Sequence, residues 1–189
     1  MATGSLRRRS QLLARRPDLE VEDLRGNVGT RLDKFDASSW DAIVLAAAGL
    51  LRLGLEERIR ATIPIDEMIP AVGQGALALE TRSDDREVLS AVSSLNHHET
   101  QRAVACERAF LGRLEGGCQV PIGAFAEVRQ DKLRLLGYVG SVDGLRRLKR
   151  EATGALDAPA ALGLALAEEM LDHGAGEIIG EVARTDERR

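Results

Sequence analysis

The chain has 189 residues, of which 44% are hydrophobic and 30% charged, and its formal net charge is −4. That is enough for one sizeable globular domain or two small ones, and it provides no global basic field for nucleic acid. No apolar run reaches bilayer length, there is no apolar signal core, and two cysteines without a leader predict a reducing, cytoplasmic setting with no membrane partner.

Ser5 is placed to cap a helix that runs to about Arg16, where Pro17 stops it. Residues 19–24 alternate apolar and acidic side chains and read as a strand. The glycine-rich turn Gly26-Asn27-Val28-Gly29-Thr30 follows, with Thr30 as the expected cap of a short helix. Residues 42–47 form a continuous apolar run, as a buried parallel strand does, and 55–60 read as another strand. This order predicts an α/β layer with a parallel sheet. Pro64 and Pro70 punctuate a linker; 76–80 read as a strand and 84–95 as a helix. Asn96 and Glu99 have the spacing of a capping box for a long helix ending near Glu115.

Beyond residue 120 the pattern changes. Residues 123–129, 132–139 and 145–151 read as three antiparallel strands with turns at Gln130-Asp131 and Asp143-Gly144. Residues 159–173 read as an amphipathic helix broken at 174–176, with a short element near 178–182. The expected boundary between an α/β part and a small α+β part lies near 95–100.

The two thiols differ in context. Cys106 shares a helical face with Ala103, Phe110 and Leu114, as an inert core thiol does. Cys118 follows Gly116 and Gly117 and precedes Val120-Pro121, without periodic apolar partners. From spacing alone, a loop thiol set for chemistry and a buried loop thiol both remain open. His97 and His98 are adjacent and would diverge on a helix, and no Cys-x-x-Cys is present, so no metal site is expected.

Residues 1–31 carry seven arginines (7, 8, 9, 15, 16, 25 and 31) against four acids (18, 20, 22 and 23). Arg7 and Arg8 stand at a helix start, where backbone N–H groups already favour an anion. Arg25 and Arg31 bracket the glycine turn at an expected strand end, where ligands of open α/β sheets sit. Guanidinium forks bind carboxylates in a bidentate way. The alternative is a solvated basic face, to which Arg15 and Arg16 are assigned. Stacking aromatics are missing near these arginines, which argues against single-stranded nucleic acid.

Ser5-Leu6-Arg7-Arg8, Leu24-Arg25-Gly26-Asn27-Val28-Gly29-Thr30-Arg31, Pro70-Ala71-Val72-Gly73-Gln74-Gly75-Ala76, Leu95-Asn96-His97-His98-Glu99-Thr100 and Glu115-Gly116-Gly117-Cys118-Gln119-Val120-Pro121-Ile122-Gly123 occur in order. In these motifs, from about Thr3 to about Val182, the chain resembles the porphobilinogen deaminase (hydroxymethylbilane synthase) family. The resemblance implies a periplasmic-binding-protein-like parallel-sheet α/β domain over 1–70. It implies a strand–helix segment over 71–95, and an α+β domain with a three-stranded antiparallel sheet over 96–189. It implies head-to-tail condensation of four porphobilinogen units with loss of ammonia, in heme and tetrapyrrole biosynthesis. The growing oligopyrrole would extend from a dipyrromethane cofactor joined to Cys118 by a thioether. Ser5, Arg7, Arg8, Arg25 and Arg31 would bind the cofactor. The same four arginines, with Thr3, Arg52 and Gln74, would contact substrate.

One departure from the family pattern bears on activity. The family's catalytic aspartate belongs to an N-terminal domain, and no residue of this chain matches it. The expectation is therefore a truncated or split enzyme, its 71–95 segment returning to a first domain supplied elsewhere, with little turnover alone. Family members are usually monomeric. The competing reading is a non-catalytic carboxylate- or tetrapyrrole-binding module.

Overall fold

The computed structural model describes residues 1–114 and 120–186, without the side chains of 183, 185 and 186. Its elements are α1 (Leu6–Arg15), α2 (Val28–Asp36), α3 (Ala47–Arg52), a single 3₁₀ turn (Glu56–Arg58), α4 (Arg86–Ser93), α5 (His98–Leu114), β1 (Ile122–Arg129), β2 (Lys132–Gly140), β3 (Arg147–Gly154), α6 (Pro159–Asp172) and α7 (Ala175–Asp186). None of the described helices is long and apolar enough to cross a membrane.

The antiparallel sheet has the order β1-β2-β3. Gln130 and Asp131 both take positive φ, 48° and 58°, in the two-residue hairpin turn that joins β1 to β2. On one face of β2, Leu133, Leu135 and Val139 join Phe110 of α5 and Met170 of α6 in the main core. On the other face, Leu136 and Tyr138 pack on Ile69. The central strand is therefore covered on both sides. Helices α5 and α6 form one layer; α1 and the segment around residue 69 form the other.

Two close approaches fix these layers. A Cβ at Gly163 of α6 would overlap the Cys106 carbonyl of α5, so the two helices cross at backbone distance. A Cβ at Gly140 would overlap the Ser10 and Tyr138 hydroxyls. Those hydroxyls hydrogen-bond at 2.7 Å and join α1 to β2 through a buried contact.

The first seventy residues depart from the expected parallel sheet. Residues 19–24, 42–47 and 55–60 form no extended strand; the last falls in the 3₁₀ turn. Among the described residues the parallel arrangement is confined to two isolated bridges, Ala2 with Glu22 and Ala2 with Ile43. Residues 1–3 lie between the two partner segments, donating from Ala2 N to Ala42 O and from Thr3 N to Glu22 O, each at 2.9 Å. The apolar run at 42–47 breaks because Ala47 already begins α3. The expected strand at 76–80 does not form either. Leu77 is 90% and Leu79 62% exposed, and among the described residues no strand pairs with them.

Two caps also move. Asn27, not Thr30, caps α2, its side-chain oxygen accepting from Thr30 N at 2.8 Å. At the start of α5, His97 Nδ1 accepts from Thr100 N at 3.3 Å, while the Asn96 amide turns to His98 and Gln101. The element near 178–182 is part of the longer α7.

Candidate carboxylate-binding site

Helix α1 starts where the sequence places it. Ser5 takes extended backbone angles and its Oγ accepts from Arg8 N at 3.3 Å. Thr3, which is buried, accepts from Ser5 N at 3.3 Å through Oγ1. These hydroxyls fix the helix entry and with it the direction in which Arg7 and Arg8 leave the backbone.

Arg7 and Arg8 line a cavity of about 500 Å³ with Leu32, Phe35, Val44 and Met68. Arg7 Nη1 donates to Ile69 O at 2.5 Å, and Arg8 Nη1 to Val44 O at 2.9 Å. Burial, and then the neighbouring Arg8 charge, lower the Arg7 pKa to about 10. Arg8 is lowered too, by burial and then by Arg31. The Arg31 Nε in turn donates to Gly26 O at 2.6 Å. Among the described residues, none of these three guanidiniums has a carboxylate partner. Arg7 and Arg8 are half-buried cations, and Arg31 adds a third positive charge beside Arg8.

Their neighbours differ. Arg15 pairs with Glu67 and Arg16 with Asp18. Arg25 pairs with Asp23 at 2.9 Å on the surface, its side chain 85% exposed, and does not line the cavity. Arg52 closes α3 and is exposed, as is Gln74 on its turn. The structure therefore sets Arg7 and Arg8 on the cavity, with Ser5 and Thr3 fixing their helix start, and puts Arg31 beside Arg8 but outside the lining; Arg25, Arg52 and Gln74 are on the surface.

Cys118 lies outside the described residues. Its described flanks are firmly held: Leu114 is buried at the end of α5, and Pro121 O accepts from Gly140 N at 3.1 Å. The chain then enters β1, where Ala124 N donates to Pro70 O at 3.0 Å. Residues 69 and 70 thus touch Arg7 on one side and β1 on the other.

The remaining thiol is inert. Cys106 is fully buried, and burial followed by the Glu107 charge raises its pKa to about 12. Sequence reasoning missed Glu107 itself. It is 4% exposed, and its Oε2 and Oε1 accept from Gly73 N at 2.6 Å and Ala126 N at 2.8 Å. Burial raises its pKa, and the two N–H donors oppose that shift. Gln11 was missed as well, although its position one helical turn after Arg7 on the same face was a readable signal.

Two family models match the chain. The one described as "Porphobilinogen deaminase, dipyromethane cofactor binding domain" matches residues 1–90. The one described as "Porphobilinogen deaminase, C-terminal domain" matches residues 101–172.

Proposed function

Because the chain belongs to the porphobilinogen deaminase family, a family of transferases that use dipyrromethane in tetrapyrrole biosynthesis, we propose that it carries the polycarboxylate-binding part of hydroxymethylbilane synthesis. The observation that carries this reading is the pair of half-buried guanidiniums, Arg7 and Arg8, with Arg31 beside Arg8, none of which has a carboxylate partner among the described residues. Each pyrrole of such a ligand bears an acetate and a propionate, so the donor set suits the charge it would meet.

In this proposal Arg7, Arg8 and Arg31 hold ligand carboxylates, Arg25 adds charge at the rim, and Ser5 and Thr3 fix the helix start. Arg52 and Gln74 are outer contacts. Cys118 is the attachment point of dipyrromethane, which when bound supplies the pyrrole carbon that is extended. The chain's own contribution is binding and orientation. The arginines neutralise the acid side chains, and the apolar wall of Leu32, Phe35 and Met68 limits water around them. No residue is assigned as the catalytic carboxylate. Residues 1–70 are read as an α/β unit of periplasmic-binding-protein type, a reading supported by the parallel bridges at Ala2. Residues 96–189 are the cofactor-bearing α+β unit, and 71–95 the segment returning toward a further domain that supplies the missing acid.

The test is intact mass after expression of residues 1–189 in a host that makes porphobilinogen, with turnover to uroporphyrinogen measured beside it. A covalent adduct of dipyrromethane size that disappears in Cys118→Ala is the expected result. Porphobilinogen binding without any adduct would favour the simple binding module, and absence of both would remove the proposal.

A further inference from the structure

The carbonyl of Ile69 is buried and receives two donors. Arg7 Nη1 donates at 2.5 Å and Gln11 Nε2 at 3.0 Å. Gln11 Oε1 also accepts from Ile69 N at 2.8 Å. One side chain thus satisfies both backbone groups of one residue, as a neighbouring strand would. Gln11 is 5% exposed, and its Nε2 reaches back to Arg7 O at 3.3 Å. This is an expensive place for an amide unless each of its atoms is used.

The segment it grips cannot shift easily. Pro70 O accepts from Ala124 N, and Gly73 N donates to Glu107. A Cβ at Gly123 would come within 3.0 Å of the Ile69 and Pro70 carbonyls, so β1 also closes on this stretch. Ile69 O is therefore a fixed acceptor. A guanidinium held to it by Nη1 keeps its Nε and Nη2 edge as a fork for a carboxylate. Arg8 has no such arrangement among the described residues; its Nη1 bonds Val44 O, and no described side chain grips Val44 as Gln11 grips Ile69.

We propose that Gln11 is a positioning residue for Arg7: by clamping both backbone groups of Ile69 it fixes the carbonyl that orients the Arg7 guanidinium toward a ligand carboxylate. This rests on the reading of Arg7 as a carboxylate ligand. Gln11 touches no substrate. Its effect passes through Ile69 and reduces the ordering that binding would otherwise require.

The experiment is a double-mutant cycle on residues 1–189, with porphobilinogen as the titrated probe and circular dichroism to verify the fold. Gln11→Leu is expected to weaken binding about tenfold, the order of loss when the Arg7 guanidinium is released from its one charge-assisted bond to Ile69 O. Arg7→Ala should weaken it at least as much, and the double variant no further than Arg7→Ala alone. Additive losses in the cycle would mean that Gln11 acts only on stability, and would overturn the proposal. Unchanged affinity in folded Gln11→Leu would overturn it too, leaving the role of Arg7 intact. If Arg7→Ala binds like the wild type, or the wild type does not bind, both readings fall. The ligand-free wild type supplies a check independent of any variant. Nitrogen-15 spectra should show separate, slowly exchanging Nη signals for Arg7, and one averaged signal would overturn the clamp.

Discussion

At residue scale, the polar side chains that organise the molecule are those that accept or donate to backbone in places no water reaches. Glu107 is the extreme case, because a single carboxylate serves Gly73 of the linker and Ala126 of β1. Its place beside Cys106 on α5 gave no sign of this in the sequence, since a glutamate at a helical boundary position ordinarily faces water. Glu107→Gln keeps the shape but turns an NH₂ group toward one of the two N–H donors. The expected cost is about 1–3 kcal/mol, the penalty of a stranded buried donor, measured by urea unfolding. The pH dependence has a defined sign. A carboxyl whose folded pKa is raised stabilises the fold at pH below its unfolded value, and that contribution is lost as pH rises through the folded value. The wild type's margin over Glu107→Gln should therefore grow as pH falls from neutral toward the ordinary carboxylate range. A margin that shrinks on acidification would show that burial does not dominate at this carboxyl.

At element scale, legibility in the sequence followed how local the forces are. Helix α1 announced itself because its cap, its period and its terminating Pro17 all lie within a dozen residues. The β1–β2–β3 meander did so because hairpins pair neighbours in sequence. The parallel sheet did not behave this way. Residues 19–24 and 42–47 have strand composition, but parallel pairing depends on distant segments, and among the described residues only the two bridges at Ala2 form. The candidate site divides along the same line: Arg7 and Arg8 could be read from their helix start, whereas the pairing of Arg25 with Asp23 and the approach of the Arg31 charge to Arg8 are set by the fold. Close packing of α5 on α6 is likewise a tertiary property, concentrated at Gly163. A methyl group there meets the Cys106 carbonyl, which belongs to helix backbone and cannot rotate away. Gly163→Ala should lose about 1–3 kcal/mol despite the better helix propensity of alanine. A denaturant midpoint equal to or above that of the wild type would mean that the two helices can slide apart at little cost.

For the whole molecule, the consequential fact is that the arginine-bearing helix is packed on the far sheet. Ser10 of α1 and Tyr138 of β2 share a buried hydrogen bond, Arg147 of β3 donates to the Ala14 carbonyl, and Gly140 and Gly144 leave no space beneath α1 for a Cβ. Arg134 of β2 adds ion pairs to Asp66, Glu127 and Glu151, and Lys149 donates to the Asp66 carbonyl, so the linker is tied to the same sheet face. Helix α1 should consequently open only when the sheet opens. Residues 76–95 have far less to hold them, with Leu77, Leu79 and Leu95 at 90%, 62% and 69% exposure. Native-state hydrogen exchange separates these cases, because amides within one cooperative unit share an opening free energy. The amides of α1 should exchange with the free energy of β2, and those of 76–95 with a much smaller one. Tyr138→Phe removes the partner of the buried Ser10 hydroxyl, so it should lower the protection of α1 more than that of α5, which lies on the opposite face of the sheet. If α1 instead exchanges as freely as residues 76–95 in the wild type, its contacts with the sheet carry no cooperativity, and the arginines it presents are not held by the C-terminal unit.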